Sequence, residues 1–527
     1  MSTLTETDCL LSKIDFEQTN SFSSFFLDYI SGKESLQGFH NGLPTKENFK
    51  KQIEDRNFPQ SHRDIVSEQL LEQYSKVDAS QATLSNIELL KEGNTFTVTT
   101  GHQLNIFTGP LYFIYKIVTV VRACEELKHE YPEYNFVPVY WMASEDHDFQ
   151  EISYFRLNGK KLVWETDQQG AVGRFNLKGI DKIFEQVIGM PEFFVEAYKK
   201  KNLASAVLSY VNALFGERGL VVIDADNAAM KELFKPVIQS DLFEHKPQEL
   251  AQKTTDSLEQ AGYSTQVFPR EIHFFYLKDD IRSRIVKTDS GFEVLETNLH
   301  FSEEELKEEI EKHPERFSPN VLLRPLYQEF LLPNLAYVGG PSELVYWLQL
   351  KGIFDHFGTT FPLLMPRNFA AVVDKNTLRK VEQIDLTWED LFKEDHELVN
   401  EKVKEQTTFK LDLNVEKAKL EAIYQQALQQ ALDVDQTLER MVKGEHRKAE
   451  KTLEKIEQKI LKAERKNQEI LVNRIYAIKE ALFPGGAPQE RKDNFLNFYM
   501  TNPNFVEDCL NSLSPFDYRF HLLKTNE

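Results

Sequence analysis

The side chains best suited to chemistry stand directly after apolar segments that have the pattern of β-strands. Four such groups are Gly101-His102-Gln103, Ser144-Glu145-Asp146-His147-Asp148, Asp224-Ala225-Asp226 and Gly339-Gly340-Pro341-Ser342-Glu343. In an open parallel sheet, ligands bind outside the carboxyl ends of the strands. We therefore expect the four groups to meet at one edge of the sheet and to form a site for a small molecule.

The stretch SEDHD, residues 144–148, places three carboxylates and an imidazole within four residues. This set is suited to a general base, a divalent-metal site or the recognition of an ammonium group. The alternative is a capped loop whose acids serve the next helix. His-x-Asp spacing is too common to define a metal site by itself. We interpret Asp224 and Asp226 as caps of a helix that begins near Asn227.

Gly109-Pro110 and Gly340-Pro341 each follow an apolar strand and open a predicted helix. Free N–H groups and the helix dipole at such a start attract phosphate or carboxylate. An ordinary strand–helix turn is the alternative for either one alone. Neither a P-loop nor a GxGxxG fingerprint occurs in the sequence.

Arg324 and Arg367 stand inside otherwise apolar segments. A buried arginine needs an anionic partner, because desolvation of an unpaired charge is unfavourable. That partner is either a ligand or one of the chain's own acids.

The composition restricts the classes of partner. The formal net charge of −21 disfavours nucleic acid. No apolar run approaches the roughly 20 residues of a membrane span, and the N-terminus lacks the order of a signal peptide. Cys9, Cys124 and Cys509 form no CxxC pair, which fits a reducing compartment. We expect a soluble, cytoplasmic protein.

The segment pattern predicts an α/β fold with a parallel sheet covered on both faces. We expect helices over 1–93, packed on a core at 94–375 that carries an antiparallel meander near 270–300. A helical arm is expected over 376–482, and a C-terminal segment, 483–527, returns to the core. In the N-terminal part, Phe22, Phe25, Phe26 and Tyr29 form a predicted core stripe.

The arm carries a heptad seam. Its positions are Leu420, Tyr424, Ala427, Ala431, Val434, Leu438 and Met441. A second apolar series begins after Gly444, so we predict two antiparallel helices on either side of GEHRK, 444–448. Because one arm cannot bury its own seam, we expect a homodimer; packing back on the same chain is the alternative.

Four motifs, in this order and spacing, resemble the bacillithiol biosynthesis cysteine-adding enzymes, the BshC family. They are TTGHQLNIFTGPLYFIYK, YWMASEDHDFQEI, YVGGPSELVYWLQLK and LFPGGAPQER. The resemblance covers nearly the whole chain. It implies a Rossmann-like core similar to class I nucleotidyltransferases, with a dimerising coiled coil. It also implies a ligase that joins the carboxyl group of L-cysteine to the amine of glucosaminyl malate.

Roles follow from the resemblance and the pattern together. We expect His102 and Gln103 to donate to developing negative charge, and Glu145, Asp146 and His147 to hold or deprotonate amines. The expected substrate- and anion-binding residues are Asn105, Thr108, Gly109, Tyr112, Asp148, Arg324, Gly339, Gly340, Ser342, Glu343 and Arg367. Of these, Arg324 or Arg367 would bind the malyl carboxylates.

The resemblance further implies a second, nucleotide-binding pocket, which would hold ATP or another nucleotide. Its residues are Phe483, Pro484, Gly485, Gln489 and Arg491. Family members commonly have Gln where this chain has His102, and no KMSKS-like loop is evident. Two other functions remain open: a metal-dependent hydrolase or deacylase that uses the Glu-Asp-His-Asp cluster, and a nucleotide-binding scaffold.

Overall fold

A computed structural model describes residues 9–525, which form two compact units. The first unit contains the described residues up to Glu17, Ser21–Val372 and the chain from Ala487 onward. The second contains Gln18–Asn20 and Val373–Gly486. Residues 1–8 of the predicted N-terminal helical part and 526–527 of the predicted C-terminal segment lie outside the described residues.

The strands, numbered in chain order, are β1 Leu10–Asp15, β2 Thr95–His102, β3 Asn135–Met142, β4 Tyr154–Leu157, β5 Lys160–Val163, β6 Val221–Asp224, β7 Phe274–Lys278, β8 Ile281–Thr288, β9 Gly291–Val294, β10 His300–Phe301, β11 Phe317–Pro319, β12 Asn334–Gly339, β13 Leu363–Pro366, β14 Phe369–Val373 and β15 Arg519–Lys524.

The α-helices are α1 Ser24–Ile30, α2 Lys46–Asp55, α3 Gln60–Tyr74, α4 Gln81–Leu89, α5 Tyr112–Glu130, α6 Phe149–Ile152, α7 Asp181–Phe184, α8 Glu192–Ala197, α9 Leu203–Phe215, α10 Ala228–Glu232, α11 Lys235–Gln239, α12 Lys246–Gln260, α13 Glu303–Lys312, α14 Arg324–Leu331, α15 Pro341–Trp347, α16 Lys351–His356, α17 Lys375–Gln383, α18 Asp395–Gln406, α19 Asn414–Val434, α20 Glu439–Asn467, α21 Glu469–Leu482, α22 Gln489–Lys492, α23 Leu496–Tyr499 and α24 Phe505–Ser512.

A five-stranded parallel sheet in the order β13–β12–β2–β3–β6 forms the centre of the first unit. The predicted α/β fold with a parallel sheet is confirmed. Although β2 is rich in threonine, its residues from Thr95 to Gly101 are all buried. The hydroxyls of Thr97 and Thr99 donate to Asn334 Oδ1 of β12 at 3.0 and 2.8 Å, which compensates for their loss of water.

Helix α5 covers the sheet and buries nearly its whole length. Its residues Val120, Ala123, Cys124 and Leu127 belong to one apolar cluster with side chains of β2, β12 and β13. The predicted meander is an antiparallel sheet in the order β10–β9–β8–β7–β11. In the N-terminal stripe Phe25, Phe26 and Tyr29 are buried, as expected, whereas Phe22 is only partly buried.

The prediction that the N-terminal part is helical misses β1, which pairs antiparallel with β15 at the other end of the chain. The two strands form a three-stranded sheet with β14. Local periodicity carries no sign of such a distant partner, so the pattern of this segment does not predict the strand.

In the second unit α19 and α20 are antiparallel: Lys417 Nζ lies 2.5 Å from Glu457, and His446 Nε2 lies 3.0 Å from Glu421. The predicted interruption at Gly444 is wrong, because Gly444 lies within α20. The chain turns at Asp435, whose Oδ1 accepts from the N–H of Thr437 at 2.8 Å. The extended backbone of Asp435 ends α19, and its side chain caps the short turn that follows, so the 420–441 seam is not one continuous helix.

Within residues 9–525, no helix is both long and apolar enough to span a bilayer. The side chains of the three cysteines are buried.

Candidate active site

A cavity of about 610 Å³ opens at the carboxyl ends of β2, β3 and β12. Of the predicted site residues, its wall contains His102, Gln103, Tyr112, Glu145, Asp146, Arg324, Gly340, Ser342, Glu343, Arg367 and Arg491. Its volume is in the usual range for small-molecule sites. The structure therefore brings together groups from three strand ends that are far apart in the sequence.

Six of the predicted catalytic and substrate- or anion-binding residues do not line this cavity: Asn105, Thr108, Gly109, His147, Asp148 and Gly339. Contacts within the protein occupy the loop that contains Asn105, Thr108 and Gly109. Gly109 has a φ of +61°, and a Cβ there would lie 2.5 Å from Asn105 Cβ. The N–H of Leu111 donates to Asp493 O at 2.7 Å, and Asn494 Nδ2 donates to Gly109 O at 2.6 Å. The Leu111 N–H at this helix start is therefore already bonded within the protein, and the predicted anion site here stays a prediction.

At the helix start at Gly340, a backbone N–H is also hydrogen-bonded within the protein. The N–H of Gly340 donates to Glu343 Oε2 at 2.8 Å, although the residue does line the cavity. Glu343 also accepts from Lys116 Nζ at 2.7 Å and from Tyr337 Oη at 2.9 Å. Burial raises the pKa of Glu343, but these partners outweigh burial and lower it to about 2. Glu343 is ionised and occupies the Gly340 N–H, and the predicted anion site at this helix start stays a prediction.

His102 ends β2 and packs between Tyr112 and Phe113, with ring centroids 5.3 and 5.2 Å away. Its Nε2 is buried and has no hydrogen-bond partner among the described residues. Burial, reinforced by Lys116, lowers the pKa of His102 to about 3. The imidazole is neutral at physiological pH, so its one N–H can act as a donor in the cavity.

Gln103 is less available than predicted. Its Nε2 donates to Asp146 Oδ2 at 3.0 Å and to Glu151 Oε2 at 2.7 Å. Both amide hydrogens are thereby used within the protein, and the predicted donation from Gln103 to developing negative charge stays a prediction.

The four residues Glu145–Asp148 have separate partners. Glu145 Oε1 accepts from Lys231 Nζ at 2.5 Å, and His147 Nδ1 lies 2.5 Å from Arg282 Nη1. Asp148 caps α6 by accepting from the N–H of Glu151.

These environments shift the pKa values in different directions. Burial raises the pKa of Glu145, against the effect of Lys231. Burial also raises the pKa of Asp146, but Gln103 and Arg282 outweigh burial and lower the pKa overall. Burial and Arg282 lower the pKa of His147, so that ring is a neutral acceptor.

Within residues 9–525, no three His, Cys, Asp or Glu side chains are grouped so as to hold a metal ion. The divergent partners of Glu145–Asp148 give the physical reason. The hydrolase alternative therefore gains no support from this geometry. Asp224 and Asp226 are not helix caps as predicted: Asn227 Oδ1 caps α10, Asp224 accepts from Ser144 Oγ at 2.5 Å, and Arg174 pairs with Asp226.

The two predicted arginines differ. Arg367 forms a bidentate pair with Glu490, at 2.8 and 2.5 Å, and both side chains are almost fully buried. That charge is already balanced within the protein, and the predicted binding of substrate carboxylates by Arg324 or Arg367 stays a prediction. Arg324 donates only a long 3.4 Å bond to Gln328 Oε1 and interacts with Tyr346 and Tyr337, without an ion-pair partner among the described residues.

Sequence reasoning missed several cavity residues, notably Lys116, Arg282, Tyr337 and Tyr346, and also Lys231 behind the wall. Lys116 stands alone in the apolar run of α5, which is the same signal that singled out Arg324. It could have been found in that way. Arg282 comes from the meander, and no local pattern connects that strand with the sheet edge.

The residues of the predicted second pocket fall in both units. Phe483, Pro484 and Gly485 belong to the second unit, where the ring of Phe483 meets that of Phe392 at 5.3 Å. Gln489 exchanges two hydrogen bonds with the backbone of Val372, at 2.8 and 3.0 Å, so its amide is already engaged. Arg491 is exposed, lines the first cavity and has no ion-pair partner among residues 9–525.

The chain matches two family profiles. Residues 10–368 match "Bacillithiol biosynthesis BshC, N-terminal Rossmann-like domain", and residues 370–525 match "Bacillithiol biosynthesis BshC, C-terminal coiled-coil domain".

Similar proteins carry the name "Putative cysteine ligase BshC". One from Flavobacterium johnsoniae is 40% identical over 98% of this chain and 99% of that protein. One from Cytophaga hutchinsonii is 39% identical over 97% and 98%. One from Bacillus cereus is 27% identical over 94% and 97%.

Proposed function

Because this chain belongs to the BshC family of bacillithiol biosynthesis, we propose that it is a cysteine ligase. It joins the carboxyl group of L-cysteine to the amine of glucosaminyl malate, the last step of bacillithiol synthesis. The amide bond forms between the cysteine carbonyl carbon and the amine nitrogen.

The observation that carries this proposal is the charge balance of the cavity. Its three carboxylates, Glu145, Asp146 and Glu343, each have partners within the protein. Two of its cations, Arg324 and Arg491, have no carboxylate partner among residues 9–525. The cavity is therefore suited to an anionic guest, despite the net charge of −21. The malyl group, with two carboxylates, is suited to bind at Arg324, and Arg491 remains for a second anionic group.

The remaining groups support an acyl-transfer step. The neutral imidazole of His102 donates to the carbonyl oxygen of cysteine as negative charge develops there. Glu145 binds the ammonium of glucosaminyl malate and accepts its proton before the amine attacks, since a raised pKa suits a general base.

A carboxylate is a poor electrophile, so cysteine must first be activated. We propose a nucleoside triphosphate as the activating substrate. A carboxylate oxygen of cysteine attacks its γ- or α-phosphorus and displaces the nucleoside diphosphate or pyrophosphate, which gives an acyl phosphate or an acyl adenylate. The amine then attacks the acyl carbon, and phosphate or the nucleoside monophosphate leaves with that carboxylate oxygen. Arg491 is the candidate contact for the phosphates, because Gln489 is already bonded to the backbone.

We further propose that two chains associate through the arm. Val434, Ile423 and Met441 of the α19–α20 segment are 82%, 60% and 54% exposed, and exposed apolar side chains in a series favour a partner helix. Light scattering of the purified protein tests this. A monomer at micromolar concentration would contradict it.

The activity test incubates the purified protein with L-cysteine, glucosaminyl malate and one nucleotide at a time, and detects bacillithiol by mass spectrometry. We expect product with the unmodified protein and strong loss with H102A and E145A. Product formation unaffected by both variants would favour the scaffold function. Activity that requires a stoichiometric bound metal would favour a metalloenzyme. No product with any nucleotide would overturn the proposal.

A further inference from the structure

Lys231 lies behind the cavity wall, in the short helix α10 that follows β6. Its side chain is fully buried and donates to two acceptors: Glu145 Oε1 at 2.5 Å and the carbonyl oxygen of Phe317 in β11 at 2.7 Å. Nζ also lies 5.2 Å from the centre of the Tyr327 ring. Lys231 thus connects the helix that follows β6 with β11 of the meander and with Glu145, the cavity carboxylate whose pKa is raised.

We propose that Lys231 is the positioning residue for Glu145: it fixes one carboxylate oxygen, keeps the group ionised and leaves the other oxygen to the substrate amine. This inference rests on the proposed function, in which Glu145 binds and deprotonates that amine. Lys231 itself does not line the cavity, so it acts only through Glu145.

The surroundings of Glu145 make the lysine necessary. Burial and the negative charge of Asp226 favour the protonated acid, whereas Lys231 and Arg282 favour the carboxylate. The charged and titratable groups that interact with Glu145 from the neighbouring elements are Lys231, Asp224, Asp226, Arg174, Arg282 and Tyr327. Among the described residues, Lys231 alone forms a direct hydrogen bond with the Glu145 side chain.

A buried lysine would have a purely structural role if it served only to satisfy Phe317 O. The two roles predict different pH behaviour. Loss of a structural bond lowers stability equally at all pH values. Loss of the charge that keeps Glu145 ionised moves the pKa of that acid upward, and the reaction then needs a higher pH.

The test measures kcat/KM for amide formation from pH 5 to 9 in the unmodified enzyme, K231M and K231R. We expect the acidic limb of the K231M profile to shift upward by at least one pH unit, with at least a 10-fold loss at pH 7. K231R should restore most of the original profile, because it retains the charge. A parallel loss in K231M at every pH would overturn the proposal.

A second measurement does not depend on the reaction, so it remains informative if K231M has low stability. Unfolding by urea is followed from pH 5 to 8 in the unmodified protein, K231M and the double variant K231M/E145Q. A raised folded-state pKa makes ionisation of Glu145 destabilising as pH rises, so K231M should lose more stability with pH than the unmodified protein. The double variant should not show the extra loss.

The two measurements separate the two proposals. Inactive unmodified enzyme together with a pH-dependent loss in K231M alone would reject the ligase function but retain the Lys231–Glu145 coupling. Active unmodified enzyme with equal pH slopes in all variants would reject the role of Lys231 and retain the ligase.

Discussion

Arg324 at the start of α14 and Arg367 after β13 line the same cavity, but their surroundings differ. Arg367 meets Glu490 in a bidentate pair, with 2% and 3% of the two side chains exposed. Around Arg324 stand Gln328, Tyr337 and Tyr346, and no carboxylate among the described residues forms an ion pair with it. The two arginines differ in whether the protein itself supplies the counter-charge. The proposal that Arg324, and not Arg367, binds a ligand depends on that difference rather than on burial.

The largest expected effect concerns Arg367. R367M leaves Glu490 buried without its cation, which should lower the free energy of unfolding by about 3–5 kcal/mol. Urea unfolding measures this value. In the double variant R367M/E490M the charge is removed from both sides, and most of the stability should return. Unchanged stability in R367M would remove the contrast between the two arginines.

Arg324 should show the opposite behaviour. R324M leaves no carboxylate unpaired, so stability should change by less than about 1 kcal/mol. Affinity for glucosaminyl malate should fall about 10- to 100-fold, because a charge-assisted bond of roughly 1.5–3 kcal/mol is lost. Titration calorimetry measures the affinity. R379M, at an exposed position of the second unit, is the matched control and should bind normally.

Replacement of Arg491 should weaken ligand binding less than replacement of Arg324, and it should have little effect on the free energy of unfolding. It is exposed, so water and salt weaken its interaction with an anion. We expect R491M to weaken substrate or nucleotide binding about 3-fold at low salt, with the difference disappearing near 1 M salt. A loss as large as that of R324M, and independent of salt, would show that the bound anion buries Arg491.

A pH-dependent effect concerns His102. Burial, Lys116 and Arg367 lower the pKa of this residue to about 3 in the folded protein. The unfolded chain takes up this proton near pH 6.5, so the histidine contributes stability above that pH and loses it as the pH falls towards 3. H102Q should therefore lose stability less steeply between pH 6.5 and 4, by under about 1.4 kcal/mol per pH unit because the ring is partly exposed. Identical slopes would indicate an ordinary histidine pKa.

The sequence predicted the fold class because strand and helix periodicity is local and strong in β2, α5, β3 and β12. The convergence of His102, Glu145 and Gly340 on one cavity was predictable for the same reason, since parallel strands end at a common edge.

What could not be predicted is which polar groups the protein uses for itself. Glu490 is 123 residues from Arg367, and Lys231 is 86 residues from Glu145. Only the folded chain shows these pairs. The same limit applies to the N–H of Gly340, which donates a hydrogen bond to the side chain of Glu343 and is therefore not free for a ligand. It also applies to β1, whose partner β15 lies at the opposite end of the sequence.

The pairing of β1 with β15 makes the fold of the first unit depend on two segments that are far apart in the sequence. β1 cannot form these hydrogen bonds until β15 has been synthesised, and Glu490 and Arg491 of the cavity also lie in the later part of the chain. A truncation that removes β15 would leave the edge of β1 exposed to solvent and to pairing between two copies of the chain.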